Sequence, residues 1–349
     1  MAESFNAQIV VIGAGIVGLN VAWELARRGY GKHTLVIAEY LPGDTSINYT
    51  SPWAGADFSA VSGSDKNALR WDRQSYPILL AMADDPQQPF VQRAPSYVYW
   101  DEMPSEKKIE SMAAYLEDYR VLERSECPEG AVLGVFFTTV KINPPAHCRH
   151  LKSMLEQQGI RFVRKRLPDL ASAFQQSKAK VVFNCIGGAA EKFSGVQDTK
   201  SYPTRGATLI AHAPKITACY SHRTREHATY IIPRPNSGGQ VVLGGYQQAH
   251  IRTGDTFVEE SDSIRARTGK LLPALMDEDV HIMAAVAGLR PSHEGGARVE
   301  REEIAPGKVV VHNYGAGGTG YQAGIAMARD AVALVADREL KDLEYTSVL

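Results

Sequence analysis

Three glycines at fixed offsets, one acid, one arginine among small residues and a second run of glycines carry most of the chemistry this sequence offers. Gly13, Gly15 and Gly18 punctuate the run Gly13-Ala14-Gly15-Ile16-Val17-Gly18, directly after the apolar, β-branched stretch 9–12. In a strand–turn–helix the first glycine permits a tight turn and the second lets backbone approach a pyrophosphate. The third lets the helix pack close on its strand. A diphosphate would rest on the free N–H groups at the helix N-terminus, where the macrodipole favours negative charge. Glu39 ends a second apolar run, 34–38, about twenty residues on, where an acid bonds ribose hydroxyls and repels a 2′-phosphate. A turn that binds nothing has little use for glycines at three set positions, because each costs backbone entropy. These residues predict an adenine dinucleotide and leave NAD and FAD undivided.

Arg290 stands between the small-residue run 284–288 and Pro291. A guanidinium fork fits a carboxylate in bidentate fashion, which lysine cannot reproduce. On these residues alone a structural ion pair is an equally good reading. Tyr230 heads the stretch Tyr-Ile-Ile-Pro-Arg-Pro, where an aromatic at a sheet edge is the plainer reading. Two further glycine turns follow apolar runs: Asn184-Cys185-Ile186-Gly187-Gly188, and Tyr314-Gly315-Ala316-Gly317-Gly318-Thr319-Gly320. Turns at the carboxyl ends of parallel strands line the crevice in which α/β sheets bind ligands.

Composition narrows the function classes. The chain has 349 residues, enough for two domains and a large core. Apolar content of 44%, charged content of 22% and a net charge of −1 are those of an ordinary globular protein. That balance leaves no electrostatic footprint for nucleic acid or an anionic membrane. No run approaches the roughly 18 apolar residues of a membrane span. The N-terminal segment MAESFNAQ lacks a basic-then-apolar signal, so the protein is expected to stay inside the cell. Cys127, Cys148, Cys185 and Cys219 are widely spaced. That spacing predicts reduced thiols and no metal site. The chain ends in Ser-Val-Leu, which shares only its outer residues with the Ser-Lys-Leu peroxisomal address.

The elements that must position these groups can be read in order. Residues 9–12 and 34–38 suit buried parallel strands, with a helix between them to about Arg28. Residues 48–56, with small residues around Trp53, suit either a loop pressed on a flat ligand or a plain surface loop. A helix is expected over 64–82, strands over 97–100 and 132–140, and a mixed helical stretch over 105–122. A helix follows over 146–158, then strands over 161–163 and 180–184. Tyr230 opens the first strand of a hairpin, residues 236–239 turn it, and 240–245 return. A helix over 261–271, a strand over 309–313 and a helix over 321–334 complete the chain. The predicted fold is α/β: a Rossmann-like dinucleotide domain assembled from discontinuous segments, plus an α+β substrate domain with a mainly antiparallel sheet. The first takes residues 1–60, 146–196 and 280–349, and the second takes 61–145 and 197–279.

Taken together, GAGIVG at 13–18, SPWAGA at 51–56, NCIGG at 184–188, YIIPRP at 230–235, GLRP at 288–291 and HNYGAGGTGYQ at 312–322 resemble the D-amino-acid oxidase family, its fungal members in particular. D-Aspartate oxidase belongs to the same group. The motifs occur in the family's order and span nearly the whole chain. Ala326 departs from the family's glycine, and the Ser-Val-Leu ending departs from its usual peroxisomal address. The resemblance implies non-covalent FAD, a D-amino acid and oxygen as small-molecule partners, a homodimer and a peroxisomal setting, with the cytoplasm as the alternative. It casts Arg290 as the carboxylate clamp and Tyr230 as a hydroxyl donor to the same carboxylate. Gly318 would offer its carbonyl to the substrate amine. Tyr220 would be a second, mobile tyrosine, and Phe58 would line the side-chain pocket, with Asp57, Arg93, Tyr97 and residues 222–225 as further candidates. Cofactor contacts are implied for Gly13, Ala14, Gly15, Ile16, Val17, Gly18, Glu39, Thr45, Ser46, Ala54, Gly55, Ala56, Leu167, Cys185 and Gly187. They are implied also for Arg290, Gly315, Gly317, Gly318, Thr319, Gly320, Tyr321 and Gln322.

The expected reaction is oxidative deamination of a D-amino acid, with a lean to neutral side chains and broad specificity. A D-aspartate or D-glutamate oxidase is the nearest alternative. A glycine- or sarcosine-type FAD amine oxidase, a plain NAD dehydrogenase and a non-catalytic dinucleotide-binding protein are more remote.

Overall fold

Short runs of β-branched residues with no polar interruption are stable only between two covering layers. The computed structural model describes residues 6–63, 66–175, 177–341 and 343 and places such runs in that setting. Along the chain the strands are β1 (Ile9–Ile12), β2 (Thr34–Ala38), β3 (Val91–Trp100), β4 (Arg120–Val121), β5 (Leu133–Ile142), β6 (Arg161–Arg164), β7 (Val181–Asn184) and β8 (Ser201–His212). They continue with β9 (Cys219–Arg223), β10 (Ala228–Pro233), β11 (Gln240–Gly244), β12 (Gln248–Ala249), β13 (His281–His293), β14 (Arg298–Ala305) and β15 (Lys308–Tyr314). The helices are α1 (Ile16–Arg27), α2 (Lys66–Asp84), α3 (Glu106–Tyr115), α4 (Pro144–Gln157), α5 (Ala171–Gln175), α6 (Val258–Leu271) and α7 (Gly320–Ala336).

The chain divides into two compact units. The first comprises residues 1–52, 148–203 and 290–349, and the second 53–147 and 204–289. The first unit holds a sheet ordered β14-β15-β7-β1-β2-β6. All of its pairings are parallel except β14 on β15. β1 and β7 are buried along their whole length. Because β7 lies between β1 and β15, the turns after all three strands open on one carboxyl edge of the sheet. α1 and α7 approach closely. A Cβ placed on Gly324 would lie 2.8 Å from the Asn20 amide nitrogen, so glycine is what the contact requires. Ala326, one turn-fraction further along, is fully buried, and an alanine costs a helix nothing.

The second unit holds the larger, mainly antiparallel sheet, with β13 on the free edge of β8 and a parallel step between β3 and β9. The fold class is thus the one the sequence predicts. Several elements differ. β14 lies where no element was expected, because its sequence Arg-Val-Glu-Arg-Glu-Glu-Ile-Ala presents charges on a half-exposed edge strand. β8 and β9 were not expected either; β9 is the polar-looking run Cys-Tyr-Ser-His-Arg, held between β3 and β10. The helix expected from Ser64 is described only from Lys66, and the C-terminal Ser-Val-Leu lies outside the described residues. No helix among the described residues is long and apolar enough to cross a membrane.

A buried charge anchors α6 to β8. The Arg205 side chain is fully buried and donates to both Glu260 carboxylate oxygens, at 2.8 and 2.9 Å, and to the Asp255 carbonyl and the Gln248 amide. Breaking a buried pair by removing one partner leaves the other charge uncompensated. Arg205→Ala should therefore cost about 3–5 kcal/mol, read from the urea midpoint. Arg205→Met combined with Glu260→Leu should recover most of that loss. An equal loss in the double variant would refute the ion-pair account.

Candidate active site

The first unit gathers three glycine turns. Gly13 sits at φ +100°, and a Cβ there would lie 2.4 Å from the Cys185 carbonyl oxygen. A Cβ on Gly18 would lie 2.0 Å from the Gly13 carbonyl, so the helix packs on the turn as closely as backbone allows. Gly15 is the N-cap of α1 and Thr319 that of α7. Neither end has a side-chain cap bond or an acid in its first turn. Two helix N-termini left without protein anions are suited to receive a ligand's negative charge. Ile16 N–H donates to Ser51 Oγ at 2.9 Å. Ala14 accepts the Tyr49 hydroxyl through its carbonyl at 2.7 Å, and Val17 lies in the first turn of α1.

Arg290 and Gly318 are brought together here. A Cβ placed on Gly318 would lie 3.9 Å from both Cδ and Nε of Arg290. Gly317 N–H donates to the Pro291 carbonyl at 2.8 Å, and Ser292 bridges to Ala316, so the end of β13 is laced to the glycine turn. A Cβ on Gly315 would lie 2.5 Å from His293 Cβ, and Gly320 faces Ile16 and Val17 on α1. Tyr321 points its hydroxyl into the core, donating to Ser51 carbonyl at 3.0 Å and lying 3.2 Å from Cys148 Sγ, whose thiol burial pushes up to about 11. Gln322 is buried beside it.

Around the far end of β1 and β2, Glu39 lies 3.7 Å from Arg166 and remains partly exposed. Thr45 and Ser46 sit in a loop that Asp44 closes by accepting the Leu41 N–H and a bidentate pair from Arg164. Arg164 holds the Asp44 carboxyl below its ordinary range. Leu167 is buried against the β2 side of the core. Cys185 gives its N–H to the Ile12 carbonyl, and Gly187 adopts φ +57°. The free helix ends, the close turns and the acid at the end of β2 fit FAD's diphosphate, ribose and anionic ring edge.

In the second unit, Tyr230 lies on β10 opposite Gly244. A Cβ on Gly244 would lie 2.0 Å from Tyr230 Cζ, and one on Gly245 2.7 Å from its hydroxyl oxygen. The two glycines therefore make the recess for the ring, a role that reading them as a hairpin end misses. Ala54 and Gly55 are held from behind by Arg234, whose Nη2 and Nε donate to their carbonyls at 2.9 and 3.1 Å. Ala56 exchanges backbone bonds with Ile142. Arg234 was quoted in the Pro-Arg-Pro motif without a role. An arginine fixed between two prolines, where little else can move, was the available signal.

Two pocket assignments need correction. Phe58 is completely buried, packed on Tyr76 and Tyr115 at 4.9 and 6.3 Å between ring centroids, so it is a core residue. Tyr220 is not on a mobile segment. It is mid-strand in β9, paired on both sides and stacked on Tyr97 at 5.2 Å. Arg93 likewise spends its charge on Asp84 and Glu117 at the surface. A different set of charges stands closer to the 54–56 loop. Burial raises the Asp57 carboxyl to about 6, against the opposing charge of Arg223 and a bond from Ser59. Burial, with Arg223, lowers Lys108 to about 8 while its ammonium donates to the Ser62 carbonyl at 2.8 Å. Lys108 was missed because α3 reads as a charged surface helix.

Residues 8–334 match the family model described as FAD dependent oxidoreductase (DAO). The chain is 39% identical to a D-amino-acid oxidase of Schizosaccharomyces pombe, over 95% of this chain and 97% of the relative. It is 28% identical to a D-aspartate oxidase of Talaromyces thermophilus, over 97% of each. Among solved structures, glycine oxidase from Geobacillus kaustophilus superposes with a TM-score of 0.76 at 16% identity, covering 99% of this chain and 100% of that one.

The Asp57 environment sets a pH test. A carboxyl whose folded value lies above its unfolded one contributes stability below about pH 4 and loses it as pH rises through about 6. The stability of wild type relative to Asp57→Asn should therefore fall by about 2–3 kcal/mol between pH 4 and pH 6.5 and then level off. Melting temperatures of the two proteins across that range provide the check, and a constant difference would refute it.

Proposed function

Because the chain belongs to the FAD dependent oxidoreductase family, we propose that it catalyses oxidative deamination of D-amino acids. D-Amino acid, oxygen and water give 2-oxo acid, ammonia and hydrogen peroxide. The observation that carries the reading is the placement of Arg290 against Gly318 at the opening of α7. When bound, FAD would supply the electron chemistry of the oxidation, with oxygen as the final acceptor.

The chain's own residues then have few tasks. Arg290 fixes the substrate carboxylate, and its fork sets the plane of that group. The Gly318 carbonyl accepts from the amino group. With carboxylate and amine both fixed, only one hand of amino acid directs its Cα–H at the acceptor. The N-terminus of α7, which has no side-chain cap bond and no acid in its first turn, would offer its positive end to negative charge on the cofactor. Tyr230 donates its hydroxyl to the carboxylate, a role supported by the motif resemblance. Gly13 to Gly18, Glu39, Thr45, Ser46 and Leu167 hold the diphosphate and adenosine end. In this reading the first unit binds FAD and, through Arg290 and Gly318, fixes the substrate carboxylate and amine.

The side chain accepted is neutral, with broad tolerance. A second reading, an acidic D-amino acid, is favoured by Arg223 and Lys108, two cations whose charges act on one another within the second unit; Asp57 among them offsets part of that charge. A homodimer and a peroxisomal location complete the proposal and rest on the family resemblance.

The purified protein should be yellow. Anaerobic addition of D-alanine should bleach the flavin and L-alanine should not, while D-alanine against D-aspartate separates the two side-chain readings. Failure of every D-amino acid to bleach it would sink the proposal. Arg290→Ala should lose at least about 3 kcal/mol in kcat/KM, since it removes the charge-assisted partner assigned to the substrate carboxylate. A near-normal rate would take Arg290 out of the role assigned to it.

A further inference from the structure

Beyond the residues placed around the substrate lies a buried network on the first unit that no part of the reaction uses. Asp198, on the segment between β7 and β8, is at its centre. Its Oδ2 accepts from the Tyr314 hydroxyl at 2.6 Å, from His293 Nε2 at 3.2 Å and from Arg298 Nη1 at 3.4 Å. Its Oδ1 accepts the Lys200 N–H at 3.1 Å. Arg298 also donates to the Tyr314 hydroxyl at 2.7 Å. The side chains of Asp198 and His293 are only 11% and 10% exposed, so the carboxylate is held in a setting where each of these bonds is strong. Burial alone would raise the Asp198 carboxyl, yet it lies below its ordinary value, because the Tyr314 and Lys200 bonds and the His293 and Arg298 charges outweigh burial.

Each partner of Asp198 is one step from a group already assigned. His293 ends β13, the strand that carries Arg290 three residues earlier. Its Nδ1 faces the Gly296 carbonyl at 2.8 Å and its Nε2 faces the carboxylate, so both ring nitrogens face acceptors. Its Cβ occupies the place a side chain on Gly315 would need. Tyr314 immediately precedes that glycine and ends β15. Between these two fixed points the strand and the turn are joined by the Gly317–Pro291 bond and the Ser292–Ala316 bridge. Arg290 and Gly318 thus stand on two backbone segments whose mutual register is pinned from outside the site, and a shift of either tyrosine or histidine would carry along the strand to the arginine.

We propose that Asp198 is a positioning residue that, through His293 and Tyr314, sets Arg290 against Gly318 for a substrate carboxylate and amine. It touches neither substrate nor the dinucleotide-binding turn at Gly13, and its effect falls on carboxylate recognition. The inference rests on the reading of Arg290 as a carboxylate clamp.

The test uses the FAD-loaded protein and propanoate, which is alanine without its amino group, followed by the shift it causes in the flavin absorbance. Asp198→Asn keeps size and removes the charge. It should raise both the propanoate Kd and the D-alanine KM about tenfold, with kcat changing less, while the FAD Kd and the melting temperature stay within a small margin of wild type; coupling of this size is normal within one hydrogen-bond network. Tyr314→Phe, which removes one hydroxyl and keeps the ring, should move propanoate affinity in the same direction by about threefold. It decides the matter if the first variant does not fold. Unchanged propanoate affinity in both variants overturns the proposal, as does a loss of FAD affinity as large as the loss of propanoate affinity. Wild type that binds propanoate but is bleached by no D-amino acid would overturn the oxidase reading alone. Wild type that binds no propanoate would overturn both.

Discussion

Everything in the first unit depends on how closely two helices can start beside one another. α1 and α7 begin at the carboxyl ends of β1 and β15, two strands separated only by β7, hence about 10 Å apart. Helices are roughly as wide as that spacing, so small residues at the contact ease the approach. Gly324 faces the Asn20 amide, and Gly320 faces Ile16 and Val17. The consequence is electrostatic. Two positive helix ends, neither with an acid in its first turn, lie on one edge of one sheet. In the absence of a ligand such ends repel each other, and an extended cofactor with a diphosphate in its middle and an anionic ring at one end relieves both.

The sheet beneath these ends is tied by polar groups placed where they also define direction. His312, buried on β15, faces the Asn184 amide on β7 at 3.0 Å and Glu302 on β14 at 3.0 Å. An amide N–H donates to Nδ1, so Nε2 carries the proton toward the carboxylate, and burial favours that neutral ring by lowering its affinity for a second proton. The second unit uses the same device in charged form at Arg205. In each unit, then, one buried polar residue joins elements distant in sequence, and apolar packing alone would leave their register less defined.

Legibility in the sequence followed how local each feature's cause is. The turns at Gly13 and Gly315 were readable because a positive φ, +100° and +83° here, is a demand on the residue itself that glycine meets. β1, β2 and β15 were readable because burial on both faces forbids polar residues. β14 was not, since an edge strand facing water can be written almost entirely in charges. β9 was not, because its polar side chains are satisfied by neighbours, as in the His222–Asp101 contact at 2.6 Å. The same logic separates the site residues. Arg290 stood out by its small-residue surroundings. Lys108 and Asp198 did not, since their partners lie dozens of residues away, and only the two flanking prolines marked Arg234. Phe58 and Tyr220 carried roles implied by the family resemblance, whereas their own packing, Phe58 on Tyr76 and Tyr220 on Tyr97, was not legible in the sequence.

This division explains how far likeness to other proteins extends. Recognition of the dinucleotide is done by backbone: N–H groups at helix ends, carbonyls, and glycines whose only property is the absence of a side chain. Such features survive extensive sequence change, which is why a structure only 16% identical shares the whole fold. The charges clustered in the second unit, by contrast, depend on neighbours that set their state. Asp57 shows how sensitive that is, because burial moves it from a permanent anion to a group that is half protonated near pH 6. One neutralised carboxyl beside Arg223 and Lys108 would change the net charge of that cluster without moving an atom of the scaffold. The dinucleotide end is therefore built from backbone geometry that many sequences satisfy, while the charge of the Asp57, Arg223 and Lys108 cluster depends on individual side chains and their burial.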